Sequence, residues 1–329
     1  MGLEIAATSS REAWERLSTM WEASSIFHRW EWLEAASRAS GTDLKRLIVS
    51  TDGVPEIAMP VFSRHFGPVV ALMSPPPRLG IEYLGPSFAV GSAEDGGKRT
   101  KVLKALLDWV VTEFGPSFFY ARTVPLMRDA RPFLWSGHDV RPLYTYTLAL
   151  TENVEHVFAK FDRKLRSDLN RTSGKVDVRS GGSDLCSRVH EFVSARYRLR
   201  GMTFGSDKQY LLELYEGLGS AAFQPIGAYA DSGLEAAAIV TFHRKRASYW
   251  QGATRIGGPR LPLTDHLVWY AIRLANERGC DEFELVGANT PRLDSYKSKF
   301  RPTLEQFFEI SKGTRAGKIA AALYARLRR

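Results

Sequence analysis

The sequence predicts an α/β fold with mixed sheets, built twice from one duplicated plan. Three observations carry this. First, two hairpins recur. LKRLIVSTDGVPEIAMPVF (44–62) and FQPIGAYADSGLEAAAIVTF (223–242) each set two apolar runs around an Asp- and Gly-bearing turn, and a glutamate follows in both, Glu56 and Glu235. Asp-Gly between apolar runs is a strong hairpin signal, because such turns need φ > 0. Second, an amphipathic helix stopped by glycine and followed by a short strand occurs at 102–122 (Gly115) and at 267–287 (Gly279). Third, a short helix, an Arg-Pro pair and a strand close each copy, at 133–150 and 296–310. A repeated order of elements outranks any single local assignment.

The copies differ in one place. Gly53 to Gly115 spans 62 positions and Gly233 to Gly279 spans 46, so the first copy carries about sixteen extra residues near MSPPPRLGIEYLGP. Three successive prolines fit neither a helix nor a central strand, so a rigid loop is expected, of a kind that lines sites. Between the copies, Val154, Val157, Phe158, Phe161, Leu165 and Leu169 form one helical stripe, with Lys160, Arg163, Lys164 and Arg171 opposite. That basic face reads equally as solvated or as phosphate-contacting. The expected domains are 1–150, 151–311 and a basic C-terminal helix over 312–329.

Composition bounds the partners. The chain has 329 residues, enough for two ordinary domains, and 44% are hydrophobic, which excludes wholesale disorder. Forty-five Lys and Arg against 36 Asp and Glu give a net charge of +9. Anionic partners are favoured: nucleic acid, phosphorylated ligands or an anionic membrane face. The only cysteines, Cys186 and Cys280, suggest neither a metal site nor a disulfide framework and suit a reducing cytoplasm. No signal peptide is legible, and no apolar run reaches the roughly 18 residues of a membrane span. No Ser-His-Asp or Cys-His order is legible either.

The second copy runs from hairpin to a strand bearing WQGAT (250–254), then a Gly/Arg loop, helix, strand, helix and strand. This is similar to the GNAT acyltransferase fold, so the chain reads as two tandem GNAT-like domains. The duplication resembles the FemABX aminoacyltransferases and their BioF2-like and CelD-like relatives. Three stretches carry the resemblance: FDRKLRSDLNR (161–171), the spacing of Leu267, Trp269, Ala271, Ile272, Ala275 and Gly279, and LDSYKSKF (293–300), in which Lys297 falls at the family's lysine position. The resemblance implies transfer of an acyl or aminoacyl group to an amine of a phosphate-bearing precursor in a cytoplasmic, monomeric enzyme of cell-envelope type. No cofactor would be tightly bound; aminoacyl-tRNA or acyl-CoA would be the donor substrate. The rival readings are an acyl-CoA-dependent N-acetyltransferase for a sugar or lipid precursor, and a non-catalytic module binding RNA or an anionic membrane.

The candidate residues follow from that chemistry. Amine attack on an ester or thioester builds an oxyanion and releases a proton, which calls for a positioned cation and a base. Lys297 is the candidate cation. Asp265 and His266, at the start of the helix after the loop, are candidate bases, and a cap (Thr264 or Asp265) or a surface histidine is the plainer reading. In the loop RIGGPRLP (255–262), Arg255 and Gly258 fit a phosphate-binding turn. Arg260 departs from the CoA-binding pattern, and Pro259 and Pro262 lack N–H donors, which argues against acetyl-CoA. Arg198 and Arg200 are expected to hold an acceptor phosphate, and Tyr249 and Tyr296 to line the cleft. The C-terminal helix is expected to be solvated or to touch tRNA or membrane. Leu293, Tyr296 and Phe300 share one helical face, and Lys299 lies about 200° from Lys297 at ~100° per residue. On sequence alone, then, Lys297→Ala lowers turnover ~10²–10³-fold and Lys299→Ala does little, which a transfer assay would read.

Overall fold

The computed structural model describes residues 2–319 apart from 19, 22–23, 91–95, 126, 151–152 and 232, so most of the expected C-terminal helix lies outside the described residues; 315–319 are helical. The first half runs β1 (Leu3–Thr8), α1 (Arg11–Ser18), α2 (Trp30–Ser40), β2 (Asp43–Thr51), β3 (Val54–Phe66), β4 (Val69–Ser74), β5 (Ser87–Phe88), α3 (Gly96–Phe114), β6 (Phe118–Arg122), α4 (Arg131–Trp135) and β7 (Asp139–Ala149). The second runs α5 (Val154–Lys160), α6 (Arg163–Thr172), β8 (Asp177–Ser180), α7 (Ser183–Arg198), α8 (Lys208–Ala222), β9 (Phe223–Ala230), β10 (Gly233–His243), β11 (Arg246–Thr254), α9 (Leu263–Glu277), β12 (Glu282–Glu284), α10 (Pro291–Lys297) and β13 (Thr303–Gly313). The mixed α/β plan and its two copies agree with the sequence. Asp52 and Gly53 take φ of 49° and 80° between β2 and β3, as a primed hairpin turn requires. Gly115 and Gly279 stop α3 and α9 with φ of 49° and 69°.

The chain forms two compact units, one from 1–143 with 306–329 and one from 144–305. In the first, strands run β1-β2-β3-β4-β6-β13; in the second, β7-β12-β11-β10-β9-β8. Each unit is therefore closed by a strand from the other copy. Glu309–Gly313 of β13 pair with Phe118–Arg122 of β6, and Thr147–Ala149 of β7 pair with Glu282–Glu284 of β12. Glu309 secures the first exchange by accepting from Tyr120 (3.0 Å), Arg122 (3.3 Å) and Arg141 (2.6 Å). The expected division at 150/151 thus stands beside observed divisions at 143/144 and 305/306. Hairpin and helix signals locate strands in the chain, whereas an open sheet edge accepts any strand that can complete its hydrogen bonds.

The long stripe between the copies breaks at Phe161–Asp162 into α5 and α6, where the Asp162 N–H donates to the Lys299 carbonyl (2.9 Å). The basic side chains Lys160, Arg163, Lys164 and Arg171 are exposed, as the stripe requires. The proline loop after β4 is largely buried. Leu79, Ile81, Tyr83 and Leu84 are buried, and the N–H groups of Leu84 and Gly85 both donate to the Arg122 carbonyl (3.0 and 2.8 Å). A Cβ at Gly85 would come within 2.8 Å of that oxygen, so the loop packs onto β6 only with glycine there. In the second unit, Leu165, Leu169, Val240, Ala247, Leu267, Ala271, Phe283 and Phe300 form one core between the sheet and α6 and α9.

His28 in the first unit is buried to 1% exposure. Its carbonyl accepts from Trp14 Nε1 (2.8 Å), and its Nδ1 lies 3.1 Å from Ser25 Oγ. Burial holds its pKa down to about 4, from 6.5. Below 6.5 the unfolded chain takes up a proton that the folded chain refuses, so stability falls as pH drops from about 6.5 to 4 and is unaffected above. His138, His190 and His266, also lowered by burial, act in the same direction. At pH 5 the His28 contribution is a loss of about 2 kcal/mol. Urea unfolding between pH 7 and 5 should show this slope, and His28→Gln, which cannot take up the proton, should flatten it.

Candidate functional site

The site assembles in the second unit where β11 leaves β12. The two strands pair in parallel over only three residues, Arg246–Ser248 with Glu282–Glu284. Past that point the chain after β12 follows β7: Leu285 N–H donates to the Tyr146 carbonyl (2.8 Å) and Ala288 N–H to that of Tyr144 (3.0 Å). β11 meanwhile bulges at Trp250, with Tyr249 opposite Val240 and Gln251 opposite Ile239. A bulge bends a strand and re-aims its side chains. Here the Tyr249 ring lies across Gly252, where a Cβ would sit 2.5 Å from the phenol oxygen.

The start of α9 supplies the carboxylate. Pro262 occupies the N-cap position, so Thr264 and Asp265, the expected caps, are instead the second and third helical residues. A carboxylate in a first helical turn is favoured by the helix dipole. Asp265 is 8% exposed. Its Oδ1 accepts from the Tyr296 hydroxyl (2.9 Å) and from Lys299 Nζ (2.7 Å). No group among the described residues donates to Oδ2. The Lys299 ammonium also sits 4.1 Å from the Tyr296 ring centroid, a cation–π distance. Burial, then the Asp265 charge, pushes both the Tyr296 and Tyr249 hydroxyls upward, so both stay protonated at neutral pH. Asp265, Tyr296, Tyr249 and Lys299 therefore form one polar group on a largely apolar face.

The other expected residues are placed elsewhere. Lys297 is buried at 8% exposure, and its Nζ donates to the carbonyls of Val286 and Gly287, the latter at 2.6 Å. It holds the segment that has just left β11. Lys299, which the sequence reading set aside, is the lysine that meets Asp265. The physical reason is that the last turn tightens to a 3₁₀ turn over Ser298–Phe300, ending at Arg301 with φ of 55°. His266 Nε2 lies 2.7 Å from Thr172 Oγ1, which itself donates to the Asp168 carbonyl (2.7 Å). The Thr172 proton is thus engaged, so Nε2 is the donor and His266 anchors α6 to α9.

Arg255 reaches Glu235 with two bonds (2.9 and 2.8 Å), and Glu235 is fully buried. Gly258 lies so close that a Cβ there would be 2.6 Å from the Glu235 carboxylate. Both residues lock the loop to β10. Arg198, Arg200 and Arg260 are exposed, whereas Arg196 reaches inward, donating to Thr254 Oγ1 and to its carbonyl (3.3 Å). The loop's own carbonyls occupy its N–H groups: Leu261 to Pro259 (2.9 Å), Leu263 to Leu261 (2.8 Å), and Asp265 and His266 to Pro262 (3.0 and 3.1 Å).

Two charged neighbours of this place are not among the expected site residues. One is Lys299. The other is Glu284, 0% exposed at the last paired position of β12, which accepts from Thr145 Oγ1 (2.8 Å) and Ser248 Oγ (3.0 Å). Its signal was a carboxylate set between Phe283 and Leu285, at a strand position that alternation with Glu282 does not mark as different. Among the described residues no cluster could hold a metal ion, and no helix is long and apolar enough to cross a membrane.

A protein-family model described as an acetyltransferase (GNAT) domain matches residues 158–298. No curated protein sequence matches the chain. Among solved structures, FemX is similar at a TM-score of 0.72 and 11% identity, covering 94% of this chain and 97% of that one. The C-terminal domain of a protein named as a lysylphosphatidylglycerol synthetase, from Agrobacterium fabrum, gives a TM-score of 0.59 at 14% identity over 96% and 95%. A tandem GNAT protein from the clavulanic acid biosynthesis pathway gives 0.54 at 10% identity over 94% and 98%. The fold is thus that of duplicated GNAT-like proteins, and the chain resembles the FemABX-like acyltransferases of that superfamily.

The two lysines should separate in stability. Lys297→Met leaves two carbonyls without their donor in a buried place, at about 2–3 kcal/mol. Lys299→Met loses a partly exposed ion pair, at about 1 kcal/mol or less. Urea unfolding of both variants measures this, and equal losses would contradict the assignment.

Proposed function

We propose, from the acetyltransferase (GNAT) domain over 158–298, that this enzyme forms an amide by transferring an acyl or aminoacyl group to an amine of a phosphate-bearing precursor. The observation that carries the reading is Asp265: a mostly buried carboxylate with Oδ1 held by Lys299 and Tyr296 and Oδ2 open. A base so oriented accepts a proton in one direction only, which suits general-base catalysis. The amine nitrogen attacks the donor carbonyl carbon, and an N–C bond forms. Its proton passes to Asp265 Oδ2. The C–O or C–S bond to the leaving group then breaks, and the Asp265 proton neutralises the departing oxygen or sulfur. Lys299 holds the carboxylate in place through its bond to Oδ1, so its contribution runs through Asp265. No covalent intermediate is required.

An aminoacyl ester, such as a charged tRNA carries, is the favoured donor. The N–H groups of Leu261, Leu263, Asp265 and His266 are engaged and the two prolines have none, which leaves fewer donors to cradle a pyrophosphate, and Arg255 is held by Glu235. An acyl-CoA donor is the second reading, favoured by the acetyltransferase description of the matching family. For the acceptor, the net charge of +9 supports an anionic group. The reaction would run in the cytoplasm.

Mass spectrometry of the purified protein with charged tRNA, with acetyl-CoA and with amine acceptors tests this. Transfer should occur with one donor class, and Asp265→Asn should slow it ~10²–10⁴-fold with the fold intact. Undiminished transfer by Asp265→Asn would remove the proposed base, and no transfer from either donor would favour a binding module.

A further inference from the structure

We infer that the end of α7 and the loop after β11 form a surface that docks on an anionic lipid bilayer. The Arg196 bonds to Thr254 tie the last turn of α7 to the last residue of β11. Leu199 follows one turn after Arg196, on the same side of the helix, and Ile256 follows Thr254 by two residues. The turn after α7 folds back tightly, with the Arg200 and Met202 N–H groups both donating to the Tyr197 carbonyl (2.9 and 3.1 Å). The two tied segments carry three large apolar side chains that face solvent: Leu199 at 65% exposure, Met202 at 40% and Ile256 at 43%.

The same two segments carry Arg198, Arg200 and Arg260, all exposed, and among the described residues no carboxylate pairs with any of them. The acidic residues in these segments are engaged elsewhere. Asp207 caps α8 through the Tyr210 N–H (2.7 Å), and Glu235 holds Arg255. Apolar tips and unpaired arginines on the same tied segments match a bilayer face: the tips enter the headgroup boundary and the guanidinium groups meet lipid phosphates. A soluble phosphate or an RNA would use the arginines and leave Leu199, Met202 and Ile256 without a role. Another exposed apolar pair, Leu134 and Trp135 on α4, has beside it Arg131, which is paired with Asp129 (2.9 Å).

This surface goes beyond the transfer reaction, and its test needs no donor or acceptor. The full chain is floated with vesicles of phosphatidylcholine alone and with 30% phosphatidylglycerol. Three variants accompany it: Leu199→Ser/Met202→Ser/Ile256→Ser, Arg198→Gln/Arg200→Gln/Arg260→Gln, and the control Leu134→Ser/Trp135→Ser. All replace exposed side chains, and circular dichroism melting confirms that each is folded. The wild-type chain and the control should float with the anionic vesicles only. Each of the first two variants should lower partitioning at least tenfold. Failure of the wild-type chain to float overturns the inference. So does wild-type binding by the apolar triple variant, which would assign the arginines to a soluble phosphate or RNA, and so does equal loss in the control.

Discussion

The parallel pairing of β11 with β12 stops after three residues, and the arrangement of the second unit depends on where it stops. Up to Ser248 and Glu284 the two strands share a ladder. Beyond, one continues beside β7 and the other bulges away. Backbone groups left by such a parting must be satisfied or lie open to solvent and ligand. At the base of the parting Glu284 gathers two hydroxyls, from Thr145 and Ser248. On one side Lys297 holds two carbonyls. On the other, the bulge turns Tyr249 over Gly252 toward the start of α9, where Asp265 sits. A carboxylate, two phenols and a lysine then share one place because the sheet opens there.

The loop that leads into α9 is the part of the fold on which the proposed donor preference rests. A phosphate-binding loop needs free N–H groups and a helix N-terminus facing the ligand. This loop turns the N–H groups of Leu261, Leu263, Asp265 and His266 onto its own carbonyls and locks itself to β10 through Arg255 and the fully buried Glu235. An ion pair with one buried partner costs desolvation, and losing either side would leave a charge uncompensated. Its gain is a fixed loop, and hence a fixed first turn of α9 and a fixed Asp265.

Much of this was legible in the sequence, and the limits were physical. The hairpins and helix stops could be read because Asp52, Gly53, Gly115 and Gly279 occupy backbone conformations that few residues tolerate. The copies could be read from the order of those signals. The exchange of β7 and β13 could not, since strand patterns do not say which edge a strand will join. Asp265 could be singled out from its place at the start of the helix after the loop and Tyr296 from its helical face, and the structure brings the two into hydrogen-bond contact. Lys299 was not singled out, because the angular argument assumed an α-helix through residue 300 and the last turn is 3₁₀. The roles given to Arg255 and His266 changed for one reason: each found a buried partner far away in the chain, Glu235 and Thr172, which local spacing does not reveal.

The central claim is that Asp265 and Lys299 act as one unit in the transfer step. A double-mutant cycle on kcat/KM with Asp265→Asn, Lys299→Met and the pair of substitutions together measures this directly. Residues that act as a unit are strongly non-additive. The account predicts that the double variant is no slower than Asp265→Asn alone, because Lys299 works through the carboxylate. A double variant whose loss equals the product of the two single losses would contradict it, and would place Lys299 in a role of its own.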